Sequence, residues 1–259
     1  MRIKELEPLG IEVTGWSLSG ATGGEAEWLR SRLAERGVAV IRGQEALDDD
    51  AFVAFLSLLG RMTFTEGETP LAHQPALNFV SNKGRQTPPR SVWHSDTSYV
   101  AAPPSYTALR GVEIPEDGGE TLFSCQYRAW EGLPEAVRGA LRDRTVRHGA
   151  TGVEDATVTR HPLVRRHPVS GREALFLTTP ERVGDLSGVD PLRSERIVGV
   201  LYRHSTRAGR VLRHRWRPGD VVIWDNRCTM HRADHSATVG PRVLHRGMVA
   251  GERPIPVAA

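Results

Sequence analysis

The chain has 259 residues, of which 39% are hydrophobic and 25% charged. That is enough apolar material to bury a core, and it is unlike a disordered tail. Its 34 Lys and Arg against 31 Asp and Glu leave a formal net charge of +3, too small a surplus to mark a nucleic-acid footprint. Cys125 and Cys228 cannot build a disulfide framework, and Met1 to Gly10 lacks the apolar centre of a signal peptide. The apolar runs are far too short to span a bilayer. The expectation is a cytoplasmic protein that handles a small molecule, with no nucleic-acid or membrane partner.

In chain order, Ala26, Leu29 and Leu33 recur at helical spacing and predict a helix over 25–36, stopped by Gly37. Val38 to Ile41 follows as a buried strand. Asp48, Asp49 and Asp50 form an N-cap cluster before a second helix over 51–59. From Met62 to Arg90 the chain is polar and punctuated by Gly67, Pro70, Pro75, Gly84, Pro88 and Pro89. This predicts a long surface excursion, of the kind that forms lids and binding loops. Strands are expected over 106–112, 121–125, 174–178, 221–224, 229–232 and 242–250. Helices are expected over 134–142, with Pro134 first, and over 191–205. No linker divides the chain, so 1–259 reads as one domain, mainly β with flanking α-helices, in a sandwich or jelly roll.

The chemistry begins at Val92-Trp93-His94-Ser95-Asp96. In extended chain, residues two apart share a face, so His94 and Asp96 can offer a nitrogen and a carboxylate to one ion. Alone, the pair reads equally as a surface turn. His231, after the strand ending at Trp224 and the turn formers Asp225 and Asn226, supplies a third donor; His235 and His245 compete with it. Two His and one carboxylate form a facial set that leaves positions open on non-haem iron. Arg242, Leu244, Arg246 and Met248 share a face if 242–250 is a strand. Two guanidinium groups there make either a carboxylate clamp or a solvated face. Cys228 has the opposite parity to His231 and reads as structural. The Arg-rich run 203–217, with His204 and His214, reads as a solvated helix end, and Trp93 and Trp224 as packing beside the site.

These pieces, in this order, resemble the Fe(II)/2-oxoglutarate dioxygenases of the taurine dioxygenase (TauD/TfdA) family. The resemblance rests on His94-x-Asp96, on Thr121 in Gly118-Gly119-Glu120-Thr121-Leu122, and on His231 after Trp224-Asp225-Asn226-Arg227, followed by Arg242. His161-Pro162-Leu163-Val164-Arg165, His167-Pro168-Val169-Ser170-Gly171, Arg217-Pro218-Gly219-Asp220 and Gly37 to Gly43 extend it over nearly the whole chain. It implies a double-stranded β-helix (jelly roll) core, with Fe(II) held by His94, Asp96 and His231. It implies 2-oxoglutarate as cosubstrate, its distal carboxylate on Arg242 and Thr121, and O2 as oxidant. Decarboxylation to succinate and CO2 would be coupled to oxidation of a substrate C–H bond. Arg246 matches a second family Arg that faces the substrate in sulfonate-specific members. Asp96 argues against halogenation, and the family's dimers and tetramers imply a homo-oligomer.

The sequence departs from the taurine-specific pattern. In the stretch Thr63 to Glu68, Thr65 and Glu68 stand near the positions where those members carry a His and a Tyr, Arg90 replaces an Asn before the metal motif, and the stretch between Thr121 and His231 is short. Acids at Glu66 and Glu68, joined by Glu154 and Asp155, suit a polar or cationic substrate. The expectation is tailoring of a natural product, such as an aminoglycoside antibiotic, by hydroxylation or ring closure. The alternatives are a catabolic dioxygenase of a sulfonate or aryloxy acid, a zinc hydrolase on the same donors, and a silent metal- and 2-oxoglutarate-binding sensor.

Overall fold

The computed structural model describes residues 1–65, 68–84, 91–150 and 157–257. Helix α1 (Gly23–Arg36) opens on a capping box: the Thr22 hydroxyl accepts from the Glu25 N–H at 3.3 Å, and the Glu25 carboxylate accepts from the Thr22 N–H at 2.8 Å. It stops at Gly37, whose φ of +76° and approach of 2.8 Å between a would-be Cβ and Thr229 Cγ2 both demand glycine. Helix α2 (Asp49–Leu59) is capped by Asp48, which accepts from the Ala51 N–H at 2.8 Å.

Both helices cover one face of an eight-stranded sheet. Its path runs Arg2–Glu5, Ile11–Thr14, Val38–Ile41, Val221–Asp225, Tyr106–Glu113, Val243–Val249 and Met62–Thr63, with Asn78–Ser81 also on Val243–Val249. Only Ile11–Thr14 with Val38–Ile41 is parallel. The central strands are apolar on both faces. Ala39, Ile41, Ala108, Val221 and Ile223 pack under α1 and α2 with Leu29, Phe52 and Phe55. Val38, Val40, Leu109, Val222, Trp224 and Leu244 point the other way. They meet Phe123, Cys125 and Leu212 of a three-stranded antiparallel sheet, Val211–His214, Thr121–Cys125 and Thr229–Ala233. Thr121 and His231 lie on the small sheet of this jelly-roll core, and Arg242 directly precedes a strand of the large one. Helices α3 (Gln126–Glu131), α4 (Glu135–Leu141) and α5 (Pro191–Ser205) close the outer side with Trp130, Leu141, Val198 and Leu201, against Leu122 and Met230.

Some expected elements differ. The stretch after Met62 contains two short strands, Met62–Thr63 and Asn78–Ser81, that complete the large sheet. The strand expected over 174–178 is Glu173–Leu175, and Pro134 is the N-cap of α4 rather than its first residue. Arg2–Glu5 was not foreseen: all four residues are exposed, so no alternation betrays the strand.

Candidate metal and cosubstrate site

Three donors converge where the small sheet meets the chain after Val92. His94 and His231 exchange backbone hydrogen bonds in both directions, at 3.0 and 2.9 Å, which brings the imidazoles side by side. His94 Nε2 and His231 Nε2 stand 3.7 and 3.8 Å from the same atom, Asp96 Oδ1. Those separations are too long for hydrogen bonds and short enough to share one ion. His94 Nδ1 lies 2.9 Å from the Val92 carbonyl, which fixes its proton there and leaves Nε2 a free lone pair. Burial, then the neighbouring His94, pushes His231 down to about 3, so it is neutral. Trp224 and Phe123 wall its ring at centroid distances of 4.5 and 6.3 Å. Two imidazole nitrogens, that of His231 neutral, plus one carboxylate fit a divalent iron with open positions.

A second set of groups faces this one. The Arg242 guanidinium donates from Nε to the Gly119 carbonyl at 2.9 Å and from Nη2 to the Thr121 hydroxyl at 3.3 Å. Trp216 Nε1 donates to the same hydroxyl oxygen at 3.1 Å. The Thr121 oxygen thus accepts two hydrogen bonds, and its own proton is left for an incoming acceptor. Burial alone pushes Arg242 down to about 10, still cationic at neutral pH, and no described carboxylate pairs with it. A buried cation without an anion is costly unless a ligand supplies one. Gly119, at φ +69°, lets this happen, since a Cβ there would come within 2.9 Å of Arg242 Cδ. Trp216 was missed in the sequence, hidden in a run read as solvated.

Arg246 shares the Arg242 face, and its guanidinium is ion-paired with the Glu68 carboxylate. The Glu68 carboxylate, expected to face a cationic substrate, meets a cation of this chain instead. Both arginines and Glu68 line a cavity of about 400 Å³ with His235. A neighbouring cavity of about 380 Å³ is lined by Arg61, Phe64, Thr65, Thr97, Tyr99 and Met248. Thr97 directly follows Asp96, and the Thr65 hydroxyl rests 3.9 Å from Met248 Sδ. Glu66, Arg90, Glu154 and Asp155 lie outside the described residues.

The competing candidates fall elsewhere. His245 points to the helix side of its strand, where Nδ1 lies 2.8 Å from Asp49 Oδ1. His167, Asp225 and Cys228 form another close group, but their capacity is spent internally. His167 Nε2 bonds Asp225 Oδ2 at 3.0 Å, while its Nδ1 accepts from the Val169 and Ser170 N–H groups, both at 3.2 Å. Burial pushes the Cys228 thiol far up, so it stays protonated. That group is a polar brace, consistent with a structural Cys228.

The family model described as taurine catabolism dioxygenase TauD, TfdA family, matches residues 2–248. A relative from Pseudomonas putida, named an alpha-ketoglutarate-dependent sulfate ester dioxygenase, is 32% identical over 96% of this chain and 89% of its own. A Burkholderia relative, named for 2,4-dichlorophenoxyacetate, is 28% identical over 96% of this chain and 94% of its own. Among solved structures, a taurine dioxygenase from Burkholderia xenovorans superposes with a TM-score of 0.86 at 31% identity, covering 98% of this chain and 92% of that one. AAD-2, solved with Mn(II) and N-oxalylglycine, also gives a TM-score of 0.86, at 26% identity and 98% coverage of both chains. No described helix is long and apolar enough to cross a membrane.

Proposed function

Since this chain belongs to the TauD/TfdA family and is an Fe(II)/2-oxoglutarate-dependent dioxygenase, we propose that His94, Asp96 and His231 hold the iron and that its substrate is a small organic anion. Sulfate esters, sulfonates and aryloxy acids are the candidates. Bound iron supplies, together with 2-oxoglutarate and O2, the oxidising power to attack a C–H bond. The chain's own residues do the placing. Arg242 and the Thr121 proton receive the distal carboxylate of 2-oxoglutarate, and the cavity bordered by Thr97 and Met248 receives the substrate beside the triad.

The observation that carries the substrate class is the Glu68–Arg246 ion pair. It removes a described acid that favoured a cationic substrate, and Arg61, which lines the neighbouring cavity, pairs with no described carboxylate. The relatives are named for sulfate esters, for 2,4-dichlorophenoxyacetate and, in a Schizosaccharomyces pombe relative, for sulfonate. The antibiotic-tailoring expectation therefore gives way to its catabolic alternative. Succinate release tests it, with a panel of an alkyl sulfate, an alkanesulfonate, an aryloxyacetate and an aminoglycoside. Turnover with one of the anions is expected; turnover with the aminoglycoside alone overturns the proposal.

A further inference from the structure

Asp96 has two oxygens, and the structure treats them differently. Oδ1 faces both histidines, while Oδ2 accepts from the Thr107 hydroxyl at 2.7 Å. The Thr107 oxygen in turn accepts from Asn226 Nδ2 at 2.8 Å, and Asn226 Oδ1 accepts from Trp224 Nε1 at 3.0 Å. Asp96, Thr107, Trp224 and Asn226 are all buried. Thr107 and Trp224 are paired residues on neighbouring strands, and the Asn226 N–H is tied to the Ser105 carbonyl at 2.9 Å.

The polarity of this chain of bonds is forced. An indole N–H can only donate, so the Asn226 carbonyl oxygen must face it. The Asn226 amide nitrogen then faces Thr107 and donates, which occupies the Thr107 oxygen. The hydroxyl proton therefore goes to Asp96. A carboxylate that receives it at Oδ2 is locked in rotation, and Oδ1 is presented to the pair of imidazoles. The same Trp224 ring packs against His231 at 4.5 Å. One indole thus braces two of the three donors, one by contact and one through two intervening side chains.

Resting on the assignment of His94, Asp96 and His231 as the metal ligands, we propose that Thr107, Asn226 and Trp224 are positioning residues that select Asp96 Oδ1 as the metal-facing oxygen. Their effect is on metal affinity before any turnover, because the ligand must otherwise be ordered at the moment of binding. The bonds lie in a dry, low-dielectric interior, where an oriented donor counts for more than in water.

Mn(II) binding to the apo protein, measured by calorimetry without cosubstrate, tests this on the full chain. Thr107→Val keeps the shape and removes the proton. It is expected to weaken Mn(II) binding on the order of 10- to 100-fold, the range found when a group supporting a metal ligand is lost. Thr107→Ser keeps the hydroxyl and should bind as the natural protein does. Asn226→Asp has no amide donor, so it draws the Thr107 proton away from Asp96 and should weaken binding in the same direction; it decides the matter if Thr107→Val does not fold. A folded Thr107→Val or Asn226→Asp that binds Mn(II) as tightly as the natural protein overturns the proposal. So does a loss confined to the thermal midpoint of the apo protein, which marks a merely structural bond.

Discussion

Arg242 donates to the Thr121 hydroxyl at 3.3 Å across the gap between the large and the small sheet. Each residue leaves something unspent: the guanidinium has no described carboxylate, and the hydroxyl has a free proton because Trp216 and Arg242 fill its oxygen. A fork and a proton converge on the place where a carboxylate would sit.

Arg242→Gln is expected to raise the KM for 2-oxoglutarate on the order of 100-fold, because it removes one partner of a buried charge contact. Arg242→Lys should recover only part of this, since an ammonium lacks the planar fork. Gly119→Ala should act in the same direction by pressing on Arg242 Cδ, 2.9 Å from the added methyl. Succinate release at varied 2-oxoglutarate reads all three, and an unchanged KM in Arg242→Gln would remove Arg242 from the cosubstrate site.

Glu68→Gln releases Arg246 from its ion pair. For an anionic substrate the KM should fall about fivefold, the size of one partly exposed charge contact, with kcat little changed. Arg61→Gln should move the KM upward by a similar factor. If Glu68→Gln instead raises the KM of the true substrate, that substrate is a cation and the anion reading is wrong.

The sequence made the donors legible because metal chemistry restricts residue types and spacing: His94, Asp96 and His231 stand out before any fold is known. The two-sided burial of Val38–Ile41 and Val221–Asp225 was legible too, as unbroken apolar runs. What was not legible depends on distant partners. Glu68 looks like any loop acid until Arg246, far along the chain, takes its charge. Trp216 sits among arginines, and only the fold turns its indole onto Thr121. Thr107 reads as an ordinary strand residue until its register with Trp224 is known.

Asp49 gives the account a pH signature outside the site. Burial works to raise its carboxyl, but hydrogen bonds from His245, His73 and Arg110 outweigh it and hold the group at about 2 against the ordinary 3.8. A depressed carboxyl stabilises the fold above its unfolded value and loses that contribution as pH falls through the folded one. Asp49→Asn should cost about 3 kcal/mol near neutral pH, where it strands Arg110 and His245. The gap in thermal midpoint between variant and natural protein should stay constant above the ordinary value of 3.8 and shrink between there and about 2. A gap that does not narrow in that window means Asp49 is not held ionised by these partners.

The most direct measurement is the visible spectrum of the apo protein mixed with Fe(II) and 2-oxoglutarate without oxygen. Chelation of the keto acid to iron in a site of two histidines and one carboxylate gives a weak charge-transfer band. The band is expected in the natural protein and should be lost in Asp96→Ala and in His231→Ala. No band in the natural protein, or a band that survives both substitutions, would contradict the assignment of His94, Asp96 and His231 as the iron site.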